Sequence, residues 1–86
     1  MFEVIVKKRA EKFALSADKG YRGKILEILD ELETDPIPFK TRDVKRMEGF
    51  DNRFRIRKGR IRIVYEVSFS EFKVTVHDID FRGSIY

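Results

Sequence analysis

Hydrophobic and charged residues alternate along the stretch from Arg53 to Glu66, on both sides of a turn at Lys58-Gly59. Because successive side chains of a β-strand point to opposite faces, this pattern predicts a hairpin with one apolar and one cationic face. The apolar face is predicted to contain Phe54, Ile56, Ile61, Ile63 and Tyr65. The cationic face is predicted to contain Arg53, Arg55, Arg57, Arg60 and Arg62.

The N-terminal half of the chain shows two further patterns. The apolar run from Phe2 to Val6 predicts a short strand that is buried on both faces, as in the interior of a sheet. Apolar residues three and four positions apart then predict two helices, from Lys8 to Ala17 and from Tyr21 to Glu33. Because the link between them is short, the helices are expected to form an antiparallel hairpin. Proline cannot continue a helix, so the segment Asp35-Pro36-Ile37-Pro38 ends the second one.

The remaining segments complete the predicted architecture. Phe39 to Asn52 is interpreted as a basic connector with a turn of helix near Asp43 to Met47, and Phe72 to Ile79 as the last strand, with Phe72 on its apolar face. The chain over residues 1–86 is therefore predicted to be a single α+β domain. Its N-terminal strand and helical hairpin would pack on one face of a small, mainly antiparallel four-stranded sheet. The hairpin arginines would then lie on the opposite, open face.

Composition narrows the class of protein. The chain has 86 residues, 42% hydrophobic and 40% charged, and a net charge of +4, as expected for a small globular domain. The segment from Lys40 to Arg62 contains ten basic residues and only three acidic ones. The absence of cysteine excludes disulfides and thiolate metal sites, and no apolar run has the length of a membrane span. A cytoplasmic protein without metal or cofactor is expected, and the single histidine, His77, is assigned a structural or surface role.

Two interpretations of the cationic face remain open. A charged strand face is often simply solvated. Like charges across a strand pair are destabilising, however, and a face of one sign favours an anionic partner such as RNA. Guanidinium groups bind phosphate through two parallel hydrogen bonds and can stabilise the extra charge of a phosphorane. Cleavage by the 2′-hydroxyl of RNA itself needs in-line geometry, charge stabilisation and proton transfer, and Arg82 and Tyr86, after the last strand, are candidates to complete such a site.

Three segments together resemble a known family. They are Phe54-Arg55-Ile56-Arg57, Gly59-x-x-Arg62-Ile63-Val64-Tyr65 and the closing Arg82-Gly83-Ser84-Ile85-Tyr86. In this order, behind a helical hairpin, they resemble the RelE/ParE toxin superfamily and its RelE branch most closely. The resemblance implies a ribosome-dependent endoribonuclease that cleaves messenger RNA and inhibits translation. It also implies a RelB-like antitoxin as partner.

The resemblance assigns roles to individual residues. Arg55 and Arg57 match basic residues that bind phosphate and assist deprotonation of the 2′-hydroxyl, and Arg62 matches the arginine that stabilises the transition state. Arg82 matches a residue that helps to protonate the leaving 5′-oxygen, and Tyr86 one that orients or stacks on the substrate. The catalytic set is therefore Arg57, Arg62, Arg82 and Tyr86. The RNA-binding set is Arg53, Arg55, Arg60, Lys45, Arg46 and Lys58.

The chain also departs from the family pattern. Some relatives have lysine at the positions of Arg55 and Arg57, and many have histidine at the position of Phe81. Because a guanidinium almost never releases its proton, Arg57 is a poor general base. Two alternatives therefore stay open: a ParE-like inhibitor that binds a topoisomerase, and a non-catalytic member that binds only RNA or antitoxin.

Overall fold

Five strands form one mixed sheet, and two helices lie against one of its faces, in the computed structural model, which describes residues 1–81. The strands are β1 (Glu3–Val6), β2 (Asp43–Arg46), β3 (Arg53–Lys58), β4 (Ile61–Ser68) and β5 (Lys73–Phe81), and the helices are α1 (Lys8–Ser16) and α2 (Lys19–Thr34). The strand order is β1-β5-β4-β3-β2. Only the β1–β5 pairing is parallel. The α+β prediction is confirmed, with five strands instead of four.

Alternation along the β3–β4 hairpin builds the core. The five apolar residues predicted for this face are all buried, and none has more than 1% of its surface exposed. From the helical side, Ala10 of α1 and Ile25, Ile28 and Leu32 of α2 close the same cluster. The hydroxyl of Tyr65 donates a hydrogen bond of 2.8 Å to the carbonyl oxygen of Pro36. The segment after α2 is thereby attached to the sheet.

Local sequence explains where the helices begin and end. Asp18 caps α2, because its carboxylate accepts a hydrogen bond from the backbone N–H of Tyr21. The helix ends at Thr34, one residue before Asp35-Pro36, as the prolines require. Both helices bury the predicted apolar stripes and leave their charged sides in solvent.

Two predictions about strands were wrong. β1 lies at the edge of the sheet, and Glu3 and Ile5 are exposed, so this strand is not an interior one. The connector contains a strand, β2, in place of the expected helical turn; its residues pair antiparallel with β3 from Asp43 opposite Arg57 to Arg46 opposite Phe54. β2 thus adds the side chains of Asp43 and Lys45 to the arginine side of the sheet.

Two turns also differ from the sequence prediction. Lys58 pairs with Ile61, so the hairpin loop consists of Gly59 and Arg60 rather than Lys58 and Gly59. Gly59 has a φ of 59°, a left-handed conformation that glycine adopts without strain at the first position of a two-residue hairpin turn. Phe72 was expected on the core face but lies in the β4–β5 turn, where it is exposed and has a φ of 54°.

A β-bulge interrupts the β4–β5 pairing. Val64 pairs with Asp78 and the next residue, Tyr65, pairs with Val76, so His77 is an extra residue in β5. The bulge resets the alternation along β5. Val76 and Ile79 are both buried on the helical side, and Asp78 lies on the opposite face.

The two faces of β4 should respond differently to truncation. Ile63→Ala is expected to lower the free energy of unfolding by about 2–5 kcal/mol, because Ile63 is fully buried and a cavity would remain. Val64→Ala, at the adjacent position on the open face, should lower it by about 1 kcal/mol or less. Urea unfolding followed by circular dichroism measures both values. Equal losses for the two variants would contradict the assignment of the faces.

Candidate nucleic-acid interface

The face of the sheet opposite the helices, here called the open face, brings arginines from two strands together. Arg53, Arg55 and Arg57 follow one another on this side of β3, and Arg62 lies directly opposite Arg57 on β4. Lys45 of β2 pairs with Arg55 from the other side. The side chains of the four arginines are 19–43% exposed, so they lie against their neighbours and still reach solvent.

The expectation that this face carries charges of a single sign is wrong. The neighbouring strands β2 and β5 contribute carboxylates that flank the arginines. Asp80 of β5 accepts two hydrogen bonds from Arg62, Nε to Oδ1 at 3.0 Å and Nη2 to Oδ2 at 2.8 Å. Asp43 of β2 accepts one from Arg57 Nε at 2.9 Å and lies 3.9 Å from Arg55 Nη2. The face therefore presents guanidinium groups that carboxylates hold in place.

These carboxylates relieve the repulsion between Arg57 and Arg62. Two like charges directly opposite each other on neighbouring strands destabilise a sheet. Asp43 and Asp80 lie on opposite sides of the pair, so each guanidinium hydrogen-bonds outward, away from the other. Hydrogen bonds to Asp80 raise the pKa of Arg62 above its ordinary value. They use two of its five N–H donors, and the others are available to an anion.

A second charged cluster lies further along the same face. Glu66 Oε1 is 2.9 Å from His77 Nε2 and 3.3 Å from Arg53 Nη2. Hydrogen bonds from His77 and then Arg53 hold the pKa of the Glu66 carboxyl below its usual value. The guanidinium of Arg53 also lies over the ring of Phe50, 4.0 Å from its centroid. His77 is thus part of the arginine face, a placement that the sequence interpretation did not assign to it.

A shallow depression lies between the two clusters, and Val64 forms its apolar floor. Val64 pairs with Arg55 on one side and Asp78 on the other. Arg9 of α1 reaches over the edge of β5 to Asp78, with 3.5 Å between Nε and Oδ1. The depression is lined by Arg9, Met47, Arg53, Arg55, Arg62, Val64, His77 and Asp78.

The other residues assigned from the sequence are placed differently. Arg60 lies in the hairpin turn and not in a strand. Arg46 and Lys58 share the strand alternation of Phe54 and Ile56, so they belong to the helical side of the sheet, where both are exposed at its rim. Arg82 and Tyr86 lie outside the described residues. The structure therefore brings together Lys45, Arg53, Arg55, Arg57 and Arg62 from the predicted set.

Residues 1–81 contain neither a metal-binding cluster nor a membrane-spanning helix. Within that range, no group of three or more histidine, cysteine, aspartate or glutamate side chains is arranged to hold a metal ion. Neither α1 nor α2 is long and apolar enough to cross a membrane.

The chain is similar to known proteins over almost its whole length, although no protein-family model matches it. RelE1 of Methanocaldococcus jannaschii, a protein named as a toxin, is 31% identical over 85 residues, which are 99% of this chain and 94% of that protein. The crystal structure of the archaeal RelE–RelB complex from Pyrococcus horikoshii contains a chain with a TM-score of 0.86 and 28% identity, covering 96% of this chain and 97% of that one. A chain of the RelB–RelE antitoxin–toxin complex from Methanococcus jannaschii has a TM-score of 0.76 and 26% identity, covering 95% of this chain and 94% of that one.

The pairing of Arg62 with Asp80 should be measurable in a double-mutant cycle of Arg62→Ala and Asp80→Asn. Surface ion pairs contribute about 0–1 kcal/mol, and the two-bond geometry places this pair near the upper end. The coupling free energy should shrink in about 1 M salt, because salt screens exposed charges. The more exposed Arg9–Asp78 contact is the control, for which a smaller coupling is expected. Strictly additive effects of Arg62→Ala and Asp80→Asn would contradict the pairing.

Proposed function

The chain belongs to the RelE toxin family, and we propose that it is an endoribonuclease that cleaves messenger RNA on the ribosome and so inhibits translation. The observation that supports this most directly is the group of four partly exposed arginines on one face of the sheet. Such a group is suited to a phosphodiester backbone, because guanidinium ions stay charged at every working pH and bind phosphate oxygens in pairs.

The proposed reaction uses the nucleophile that RNA itself supplies. The 2′-oxygen attacks the adjacent phosphorus, the bond to the 5′-oxygen breaks, and the products are a 2′,3′-cyclic phosphate and a 5′-hydroxyl. The protein has to align the attacking and leaving oxygens, stabilise the extra negative charge and move protons. We propose that none of these tasks requires a metal ion or a cofactor.

We propose individual roles that combine the family resemblance with each residue's position on the open face. Arg55 and Arg57 hold the phosphate, and Lys45 beside Arg55 extends the cationic surface along the RNA. Arg62, opposite Arg57, stabilises the charge that develops in the transition state. From the family resemblance, we further propose that Arg82 helps to protonate the leaving 5′-oxygen and that Tyr86 orients a base.

The paired carboxylates explain why such a face would act on the ribosome rather than on free RNA. Asp43 and Asp80 already partner the guanidinium groups that would bind phosphate, and their negative charge opposes a polyanion. Free RNA should therefore bind weakly. A ribosome holds the message in place and so supplies the alignment that weak binding cannot. The proposed site of action is therefore the ribosome, in the cytoplasm.

A RelB-like antitoxin is the proposed protein partner. The chains from Pyrococcus horikoshii and Methanococcus jannaschii that resemble this one are in complexes with RelB. The net charge of +4 favours an acidic segment that folds as it binds. The open face and the helical hairpin are the proposed contact surfaces.

Arg62→Ala should reduce cleavage of a labelled message on programmed ribosomes by about 100-fold or more, because a charge donor in the transition state is lost. Lys12→Ala, which removes an exposed positive charge from α1, is the control and should cleave as the unchanged protein does. A chelator selective for transition metals, which leaves the magnesium of the ribosomes in place, should have no effect on cleavage. Full activity of a folded Arg62→Ala variant would refute the assignment of this residue.

Association with the antitoxin should depend on salt. Complementary charges speed up encounter, so the association rate should fall severalfold between about 50 and 500 mM salt while the dissociation rate changes less. Surface plasmon resonance with the immobilised antitoxin measures both rates. An association rate that does not depend on ionic strength would argue against an acidic partner segment.

A further inference from the structure

Proton transfer is the task that the arginines of the open face cannot perform. A guanidinium almost never gives up its proton, so it cannot take one from a 2′-hydroxyl. Phe81, where many relatives have histidine, packs on the helical side between Phe13 and Tyr21, with ring centroids 5.0 and 5.1 Å away. The only histidine of the chain is His77, and it lies on the open face.

We propose that His77 is the general base of the RNA cleavage, and that Glu66 positions it. This inference rests on the proposed function and adds a catalytic residue to it. Imidazole is the side chain that most readily takes up and releases a proton near neutral pH, and it is the commonest general base in enzymes.

Hydrogen bonding at His77 favours one tautomer. Nε2 lies 2.9 Å from Glu66 Oε1 and 3.4 Å from Arg53 Nη2. A carboxylate only accepts hydrogen bonds, so the shorter contact requires a proton on Nε2. Arg53 then cannot donate to that nitrogen, and it donates to Glu66 instead, at 3.3 Å. With the proton on Nε2, the lone pair of the neutral ring is on Nδ1, which can accept a proton from a substrate.

Position supports the same role. The β-bulge makes His77 the extra residue between two sheet pairings, and its side chain lines the depression above Val64. Arg53, Arg55 and Arg62 line the same depression. A phosphodiester held there would be surrounded by guanidinium groups and would have the imidazole in the wall beside it. The remaining charged side chains in its lining are Arg9 and Asp78.

The 2′-hydroxyl gives its proton to His77 Nδ1 while its oxygen forms the new bond to phosphorus. The bond between phosphorus and the 5′-oxygen breaks, and that oxygen takes up a proton from a water molecule, a transfer that Arg82 is proposed to assist. The imidazolium, which Glu66 stabilises through Nε2–H, then returns its proton to solvent.

The deciding experiment is the pH dependence of single-turnover cleavage on programmed ribosomes, from about pH 5.5 to 8.5, where imidazole titrates. For the unchanged protein, the rate should rise with pH until His77 is neutral. His77→Gln should be slower by about 100-fold and should lack this rise. Thr75→Ala, on the same strand, is the control and should keep both rate and profile. Circular dichroism checks that each variant is folded.

Two additional variants separate catalysis from structure. His77→Ala should regain part of its activity with free imidazole, which a purely structural defect would not do. Glu66→Gln should be slower but keep the pH-dependent rise, because it weakens the contact that holds the imidazole in place and leaves the base itself unchanged. If His77→Gln is not folded, the profile of Glu66→Gln and the rescue of His77→Ala decide the question.

The possible outcomes distinguish this inference from the proposed function. Cleavage by the unchanged protein together with an unaltered rate and profile in His77→Gln would overturn the role of His77 and leave the endonuclease in place. A slower His77→Gln that keeps the pH-dependent rise would also overturn it, because the base would then be another group. No cleavage by the unchanged protein would overturn both.

Discussion

The register of the β3–β4 hairpin is the constraint on which the rest of the structure depends. Alternation places Ile56 and Ile63 in the core and, one residue away on each strand, Arg57 and Arg62 opposite each other on the outside. A shift by one residue would bury guanidinium groups and expose the core. The arginines therefore cannot separate by sliding, and their repulsion has to be relieved where they are.

The strands on either side of the hairpin, β2 and β5, provide that relief. β2 brings Asp43 to Arg57, and β5 brings Asp80 to Arg62. The positive charge of the β3–β4 hairpin is thus balanced by the strands that pair with it on each side. Each ion pair also fixes the direction of a long, flexible side chain. A guanidinium that is already oriented loses less conformational entropy when it meets a phosphate. The same carboxylates weaken the attraction of this face for any polyanion. The arginine side chains are therefore better ordered, but the affinity for such a ligand is lower.

How far the sequence predicted this arrangement depends on the range of the interactions. The hairpin faces and both helices follow from local alternation and spacing, and the five residues predicted for the apolar face of β3 and β4 are all buried, although Val67, also buried, was not among them. β2 was missed because Asp43-Val44-Lys45-Arg46 has a single apolar residue, and pairing with β3 decides its conformation. β1 was misjudged because an apolar run does not show whether a strand lies inside a sheet or at its edge.

The same limit applies to the candidate site. The contacts of Asp80 with Arg62 and of Glu66 with His77 join residues 18 and 11 positions apart, so no local pattern reveals them. A permanent charge and a titratable group have different uses in such a site. Guanidinium ions can bind a phosphate and stabilise a phosphorane, but they cannot accept the proton of a 2′-hydroxyl. Alternation from Val76 already places His77 on the open face, and the bulge after it keeps Ile79 in the core and brings Asp80 opposite Arg62. A regular β5 would have continued the alternation and exposed Ile79, so the irregularity lets one strand contribute both to the core and to the charged open face.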